Sequence, residues 1–484
     1  MSSLHEECGI FGIYSQKAED VASLSYYALY ALQHRGQEGC GIALNDRGVI
    51  TCHKDKGVVK DVFEDGPLPP NEHCRMAIAH VRYGTTGPDS RTNVQPLVIT
   101  HQKGNLAIAH NGNLTNDAPL REELELTGSI FHTTSDTEVI AYIITRNRLI
   151  CPSIEAAIEK TMAEIKGAYS LVVMSPTKLI AIRDPWGFRP LCIGKLADGY
   201  VFASESCALD AVGAHFVRDV KPGEIVVVTS HQDKQASLIS IQTFCNMHKS
   251  ALCVFELIYF ARPDSIIDTV SIHQARLRAG SFLALEHPAQ ADVVIGVPDS
   301  GIDAAIGYSR QSGIPYGVGF IKNRYIGRTF IQGGQKARED NVRIKLNPIA
   351  ATVRGKRVVL IDDSIVRGTT SKRIVRLLRE AGAKEVHLRS AAPKFLYPCY
   401  FGTDIDSSEN LFAYKHDDAT MRTLLDVDSL GFLSQDSVTK LSDHPCIGFC
   451  TACFTGEYPC PPPLCKGKDK YTNFLGGRSN NDTE

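Results

Sequence analysis

The first half of the chain is patterned as short apolar runs separated by glycine and asparagine turns; Met76-Ala-Ile-Ala79, Leu106-Ala-Ile-Ala109 and Ser170-Leu-Val-Val173 are three of them. Runs of this length, bounded in this way, predict β-strands. Two stretches depart from the pattern. Val21, Leu24, Ala28 and Leu32 recur at helical spacing, with Gly36 placed to end a helix, and Ile154, Ile158, Met162 and Ile165 do the same ahead of Gly167. The expectation for residues 8–235 is a sheet-rich α+β domain.

From about residue 290 the order becomes strand, turn, helix, strand. Residues 293–297 form an apolar run, Pro298-Asp-Ser-Gly301 a turn, and 302–310 a helix candidate. Arg357-Val-Val-Leu-Ile361 reads as a buried strand, followed by a loop and a helix with Ile374, Val375, Leu378 and Ala381 on one face. Glu385-Val-His-Leu388 is the next strand. Such alternation predicts a parallel sheet covered by helices on both faces. Residues 231–250 are polar and unpatterned and read as a junction. The expected layout is a leader over 1–7, a first domain over 8–235, a second over 236–466 and a polar tail over 467–484.

Composition alters this picture little. A chain of 484 residues is too long for one core and fits two or three domains, and 43% hydrophobic with 22% charged residues is ordinary for a globular protein. Lys plus Arg is 52 against 54 for Asp plus Glu, a net charge of −2. That balance gives no electrostatic reason to expect nucleic acid or an anionic membrane as partner. No apolar run approaches the roughly 18 residues of a membrane span. The first seven residues are too short and polar for a secretory signal, so a cytoplasmic location is expected. The cytosol keeps thiols reduced, so most of the 15 cysteines should be small buried hydrophobes, leaving open which serve as nucleophile or metal ligands.

One stretch of the second half carries phosphate chemistry. Asp362-Asp-Ser-Ile-Val-Arg-Gly-Thr-Thr-Ser371 follows a buried strand and precedes a helix, at the carboxyl edge where open α/β sheets bind ligands. Gly368 lets the backbone approach a phosphate; Thr369, Thr370 and Ser371 offer hydroxyls, and the helix N-terminus offers free N–H groups. Asp362 and Asp363 suit ribose hydroxyls and a hydrated Mg²⁺. The stretch resembles the phosphoribosyl pyrophosphate motif of type I phosphoribosyltransferases. That resemblance also assigns Ser364 and Arg367 to the phosphoribosyl site and Ser300, with Asp362 and Asp363, to the metal. The basic segment Lys322-Asn-Arg-Tyr-Ile-Gly-Arg-Thr329, with Lys322, Arg324 and Arg328, reads as a loop that closes over it.

The first half carries a nucleophile candidate. Removal of the leader after Glu7 would give Cys8 a free α-amino group with a pKa of about 7.7–8.0, able to act as general base for its own thiol. Cys8 is followed in order by Gln33-His-Arg-Gly-Gln37, His80-Val-Arg-Tyr83, His110-Asn-Gly-Asn113 and Thr134-Ser-Asp136. Together these resemble the glutaminase domain of N-terminal-nucleophile amidotransferases, whose αββα sandwich is then the expected fold. The resemblance implies that Arg82 clamps the glutamine α-carboxylate and Asp136 pairs with its ammonium. It also implies that Asn111 and the Gly112 N–H form the oxyanion hole, and that Thr85, Arg35 and Gly36 line the site. Histidines 34, 80 and 110 lack metal-ligand spacing and read as core or hydrogen-bonding residues.

A glutaminase of this kind ahead of a phosphoribosyltransferase resembles the amidophosphoribosyltransferase family from Cys8 to about Tyr458. The family's reaction hydrolyses glutamine and places the ammonia on C1 of phosphoribosyl pyrophosphate, giving phosphoribosylamine, glutamate and pyrophosphate for purine synthesis. An apolar passage for ammonia, feedback by purine nucleotides and a homotetramer or homodimer are implied with it. Cys450-Thr-Ala-Cys453, Cys399 and Cys253 match the ligand positions of the family's [4Fe–4S] branch. Zinc is the rival metal, with Cys446 near enough to compete as a ligand; Cys460 and Cys465 are unassigned. The alternative function is a ligand-sensing regulator on a phosphoribosyltransferase fold without amidotransferase activity, for which no helix-turn-helix pattern is present.

Overall fold

The structure, a computed structural model, describes residues 8–16, 20–66, 68, 73–83, 90–229, 236–323, 346–405, 407–443 and 448–463. Thr85, Arg324, Arg328, Cys446 and Cys465 lie outside the described residues.

Two antiparallel sheets form the centre of the N-terminal domain. One runs in the order His215–Asp219, Cys192–Leu196, Gly199–Ala203, Gly9–Ser15, Cys74–Arg82, Gly39–Asp46, Val49–Lys56. The other runs Ser237–Ile241, Ile225–Thr229, Leu179–Arg183, Gly167–Met174, Gly104–Leu114, Leu97–His101. Ile10, Ile78, Ala109, Val172 and Phe202 fill the space between them. The outer face of the first sheet is covered by the helix Val21–Leu32 through Ala28, Leu29 and Leu32. Asp136–Ile150 and Ile154–Glu164 cover the second. The layers are therefore α, β, β, α, as the resemblance implied.

Local chemistry sets the helix starts. Asp20 accepts from the Ser23 N–H and Ser153 from the Ala156 N–H; removing such a cap costs about 1 kcal/mol. Val21–Leu32 ends at Gln33, three residues short of Gly36. The helix Asp136–Ile150 has no apolar stripe in the sequence, because Val139, Ile140, Ala141, Ile143 and Ile144 are buried on several faces between a sheet and a second helix. The expected junction over 231–250 needs correction. Ser237–Ile241 is an edge strand paired with Ile225–Thr229, so the first domain extends beyond 235. Most of its side chains are exposed, and an edge strand carries little apolar signal for that reason.

The C-terminal domain holds a parallel sheet in the order Val293–Gly296, Arg357–Asp362, Glu385–Ser390, Ser429–Phe432. Ile272–Glu286 and Gly301–Ser312 pack on one face. Thr369–Glu380 and Asp418–Leu425 pack on the other. This is the doubly covered α/β architecture that the alternation predicted. Its first two strands end, and the helices Gly301–Ser312 and Thr369–Glu380 begin, at one edge, where residues 297–301 and 362–369 turn back together. A short parallel pairing of Leu252–Cys253 with Phe449–Cys450 ties the domain's two ends to each other.

Candidate active sites and their seam

Cys8 is buried at the start of the strand Gly9–Ser15. Its thiol donates to the Tyr83 carbonyl at 3.3 Å, and the Tyr83 N–H points at the same sulfur at 3.4 Å. Sheet pairing makes this possible, since Gly9 stands opposite Val81. Gly36 packs against the Arg82 main chain so closely that a Cβ would fall 2.6 Å from its carbonyl carbon. Arg82 itself is buried, with Nη1 3.5 Å from Glu38.

Asn111 lies on Gly104–Leu114 in the facing sheet and is wholly buried. Neither its Nδ2 nor its Oδ1 has a hydrogen-bond partner. A buried amide without a partner costs free energy comparable to a lost hydrogen bond, a cost that a bound group able to pair with it would relieve. The next residue, Gly112, has φ +137°, and a Cβ there would fall 2.2 Å from the Ala168 carbonyl oxygen; only glycine fits. Asp136 opens the helix Asp136–Ile150 and accepts from the Leu114 N–H at 3.0 Å. Burial alone would raise its pKa, but His110 and the backbone N–H groups outweigh that and hold the carboxyl below its usual range. His80 is pushed down to about 3 by burial and stays neutral, bonding the His110 carbonyl through Nε2 at 3.1 Å. Both histidines are hydrogen-bonding core residues, as read from the sequence.

Arg35 sits beside Cys8, but its guanidinium turns into the seam between the domains. Nε donates to the Cys8 carbonyl at 3.0 Å, Nη1 to Glu205 at 2.7 Å and to Glu256 at 2.9 Å, and Nη2 to Glu256 at 2.8 Å. Arg35 thus lies against Cys8, as one side of the expected site, while its other donors serve the seam.

A second centre lies at the carboxyl edge of the parallel sheet, in a cavity of about 490 Å³. It is lined by Pro298, Asp299, Ser300, Lys322, residues 362–364 and residues 366–371. Gly368 caps the helix Thr369–Glu380 with φ +74°, and a Cβ there would meet the Phe412 ring at 2.9 Å. Ser371 donates to Asp362 at 3.3 Å; Ser300 and Ser364 donate to Asp363. Burial, and then the neighbouring Asp363, push the Asp362 carboxyl well above its usual range, and burial raises Asp363 despite its serine donors. Lys322 reaches Asp299 at 2.5 Å. The loop, Ser300 and Lys322 thus line one cavity.

Sequence reading missed Arg276, which lines the cavity and whose guanidinium donates to the carbonyls of Leu257, Tyr259 and Ala261 at 3.0, 3.0 and 2.7 Å. It also missed His34, Gln37, Tyr259 and Phe260 as lining residues. His34 and Gln37 flank Arg35 and Gly36 in the chain, so a single loop of the first domain borders both centres. No local pattern announces this.

The four cysteines form a third cluster. Cys253 stands opposite Cys450 in the parallel pairing. These two, with Cys399, Cys453 and the rings of Phe188, Phe255, Phe395 and Phe401, line one narrow cavity. None of the four is in a disulfide. Burial pushes Cys450 up to about 12 and also raises Cys253 and Cys453, the neighbouring cysteines adding to it. Among the described residues, no group of three or more His, Cys, Asp or Glu side chains is arranged to hold a single metal ion. Cys460, unassigned from sequence, is fully buried and packs with Ala168, Phe188 and Phe401. It fastens the C-terminal segment to the first domain.

A buried sulfur just before the first strand of a sandwich, a partnerless amide in the facing sheet and an acidic phosphate-type pocket beyond it define a glutamine amidotransferase coupled to a phosphoribosyltransferase. Comparison with known proteins agrees: the glutamine amidotransferase domain family matches residues 75–211 and the phosphoribosyl transferase domain family residues 267–393. The amidophosphoribosyltransferase of Methanocaldococcus jannaschii is 48% identical, over 93% of this chain and 97% of its own. That of Bacillus subtilis is 47% identical, over 95% of each. A solved structure of the B. subtilis glutamine phosphoribosylpyrophosphate amidotransferase, complexed with ADP and GMP, superposes with a TM-score of 0.86 at 46% identity, covering 94% of this chain and 98% of that one. The chain belongs to the amidophosphoribosyltransferase family.

Proposed function

We propose that the protein hydrolyses glutamine at Cys8 and transfers the ammonia to C1 of phosphoribosyl pyrophosphate, giving phosphoribosylamine, glutamate and pyrophosphate for purine biosynthesis. The observation that carries the glutaminase half is the wholly buried Asn111 amide without a partner, in the sheet facing Cys8. In the first stage the Cys8 sulfur attacks the glutamine amide carbon. Asn111 and the Gly112 N–H receive the developing oxyanion, ammonia leaves, and water hydrolyses the glutamyl thioester. Arg82 and Asp136 take the α-carboxylate and α-ammonium. A free α-amine on Cys8, after removal of residues 1–7, is the general base.

In the second stage ammonia attacks the anomeric carbon and pyrophosphate departs. The Gly368–Ser371 turn and the helix N-terminus hold the 5′-phosphate, with Ser364 and Arg367 beside it. Asp362 and Asp363 receive the ribose hydroxyls. The buried Asp362 carboxyl, pushed up by burial and by the adjacent Asp363, makes with it a donor pair that a divalent cation would relieve. With Ser300 they suit Mg²⁺, which when bound neutralises charge on the departing pyrophosphate. Lys322, with Arg324 and Arg328, is the reading for closure over the site.

Cys253, Cys399, Cys450 and Cys453 are the ligands proposed for a structural [4Fe–4S] cluster. Four cysteines lining one narrow cavity suit a cubane cluster, with zinc as the rival metal. The nucleotides in the related solved structure support feedback by purine nucleotides here. No helix among the described residues is long and apolar enough to cross a membrane, in keeping with a cytoplasmic enzyme. A homotetramer or homodimer is proposed with the family.

The test uses anaerobically purified protein, phosphoribosyl pyrophosphate and Mg²⁺, with pyrophosphate release driven by glutamine or by ammonium. The wild type should use both and Cys8→Ala ammonium alone. Equal glutamine hydrolysis by both proteins would defeat the assignment.

A further inference from the structure

The seam between the two centres contains a closed set of buried charges that neither half-reaction uses. Arg35, Arg189, Glu205 and Glu256 are all essentially inaccessible to solvent. Arg35 comes from the end of the first domain's first helical segment; Glu256 comes from beyond residue 241, in the turn Glu256–Phe260 of the second domain. Glu256 accepts from Arg35 through both oxygens, at 2.9 and 2.8 Å, and from Arg189 at 3.4 Å. Arg35 in turn donates to the Cys8 carbonyl at 3.0 Å. Tyr259 and Phe260, in the same turn as Glu256, line the phosphoribosyl cavity. Glu205 repeats the connection from the other side, accepting from His34 at 2.8 Å and from the Arg262 N–H at 3.0 Å, two residues that line the same cavity.

Buried ion pairs are poor stabilisers, because desolvation consumes most of the Coulombic gain, and a packed apolar seam would serve stability at least as well. What a bidentate guanidinium–carboxylate pair supplies is direction: both partners are planar, so the pair fixes orientation as well as distance. Here the fixed object is the main chain of Cys8. Displacement of a nucleophile by a fraction of an ångström from its oxyanion donors lowers turnover more than binding. The π-helical form of the turn Glu256–Phe260 puts Glu256 toward Arg35 and two aromatic residues toward the pocket within five residues.

We propose that Glu256 is a positioning residue of the glutaminase centre contributed by the other domain. Through Arg35 it sets the Cys8 main chain, so the nucleophile is aligned with Asn111 only while the pocket turn is in place. The inference rests on Cys8 being the glutaminase nucleophile.

The experiment compares full-length wild type, Glu256→Gln, Glu256→Asp and Arg35→Lys. It reads the ratio of glutamine-driven to ammonium-driven pyrophosphate release, the kcat and KM for glutamine, and the rate at which the diazoketone analogue 6-diazo-5-oxonorleucine alkylates Cys8. Glu256→Gln should lower the ratio roughly tenfold or more through kcat, with the glutamine KM nearly unchanged and alkylation slowed by a similar factor. Glu256→Asp should fall between it and the wild type. Because the ratio is internal to each sample, partial misfolding lowers both activities and leaves it unmoved. If Glu256→Gln fails to fold, Arg35→Lys answers instead: it keeps the charge but cannot span the Cys8 carbonyl and both carboxylates, and should lower the ratio similarly. An unchanged ratio or undiminished alkylation overturns the proposal. A Cys8→Ala enzyme still driven by glutamine would instead overturn the reading beneath it.

Discussion

The glutaminase centre is enclosed in a sandwich of sheets, while the phosphoribosyl pocket opens at the edge of one. In the first, Cys8, Asn111 and Asp136 sit on or beside strands locked by pairing on both sides, and each is at least nine-tenths buried. In the second, Thr369 and Thr370 are exposed at the start of a helix, Lys322 is half exposed, and Ser300, Asp363 and Arg367 are only partly buried. The difference follows from the chemistry. An oxyanion hole works by donors already in place and dry. A pocket for a highly charged pyrophosphate must admit a hydrated ligand and then close. The two designs meet at Arg35, where a loop of the rigid centre borders the open one.

Separate substitutions should break this pair apart. The largest effect is expected from Cys8→Ala, which should lower glutamine-driven turnover by about 10³-fold or more while sparing ammonium-driven turnover. Asn111→Ala should follow, lowering glutamine kcat by about 10²–10³-fold with little change in ammonium-driven turnover. Initial-rate assays with both nitrogen sources check these two, and a parallel loss of both activities would blur the division into centres.

A third change acts on the open pocket alone. Gly368→Ala must hold alanine at φ +74° and 2.9 Å from the Phe412 ring, a strain of about 1–3 kcal/mol. It should raise the KM for phosphoribosyl pyrophosphate about tenfold and leave alkylation of Cys8 by a glutamine analogue unaffected.

The smallest effect concerns pH. Asp362 and Asp363 have raised folded pKa values. The folded state therefore binds more protons than the unfolded one, and stability without metal should decline as pH rises above the ordinary carboxylate range. Mg²⁺ should reverse that decline, so its stabilising effect grows with pH. Thermal unfolding with and without Mg²⁺ should show a shift of about 2 °C that Asp362→Asn reduces. A Mg²⁺ effect equal at all pH values would remove these carboxylates from the metal site.

Much of both centres was legible because their residues lie in short contiguous motifs. The 362–371 loop declares itself as strand, acid pair, glycine and hydroxyls, and strand-to-helix order placed it at the sheet edge. Asn111-Gly112 and Asp136 were singled out in the same way, and the four cysteines that line one cavity by their neighbours. The edge strand Ser237–Ile241 was not, because half-exposed side chains leave no alternation, nor was Asp136–Ile150, buried on too many faces to show a stripe. Arg276 was invisible for a different reason: it binds main-chain carbonyls, which every residue has.

The sequence alone determined the two chemistries and their order along the chain, since a nucleophile, an oxyanion donor and a phosphate loop are defined by local residue types. Only the tertiary structure decided how the two are joined. Arg35 and Glu256 stand 221 positions apart, and Arg189 and Phe401 212. A charged residue on its own predicts a solvated surface, and what turns these into a buried seam is the docking of one domain on the other. That docking is a sum of many weak contacts between distant segments, which no local pattern records.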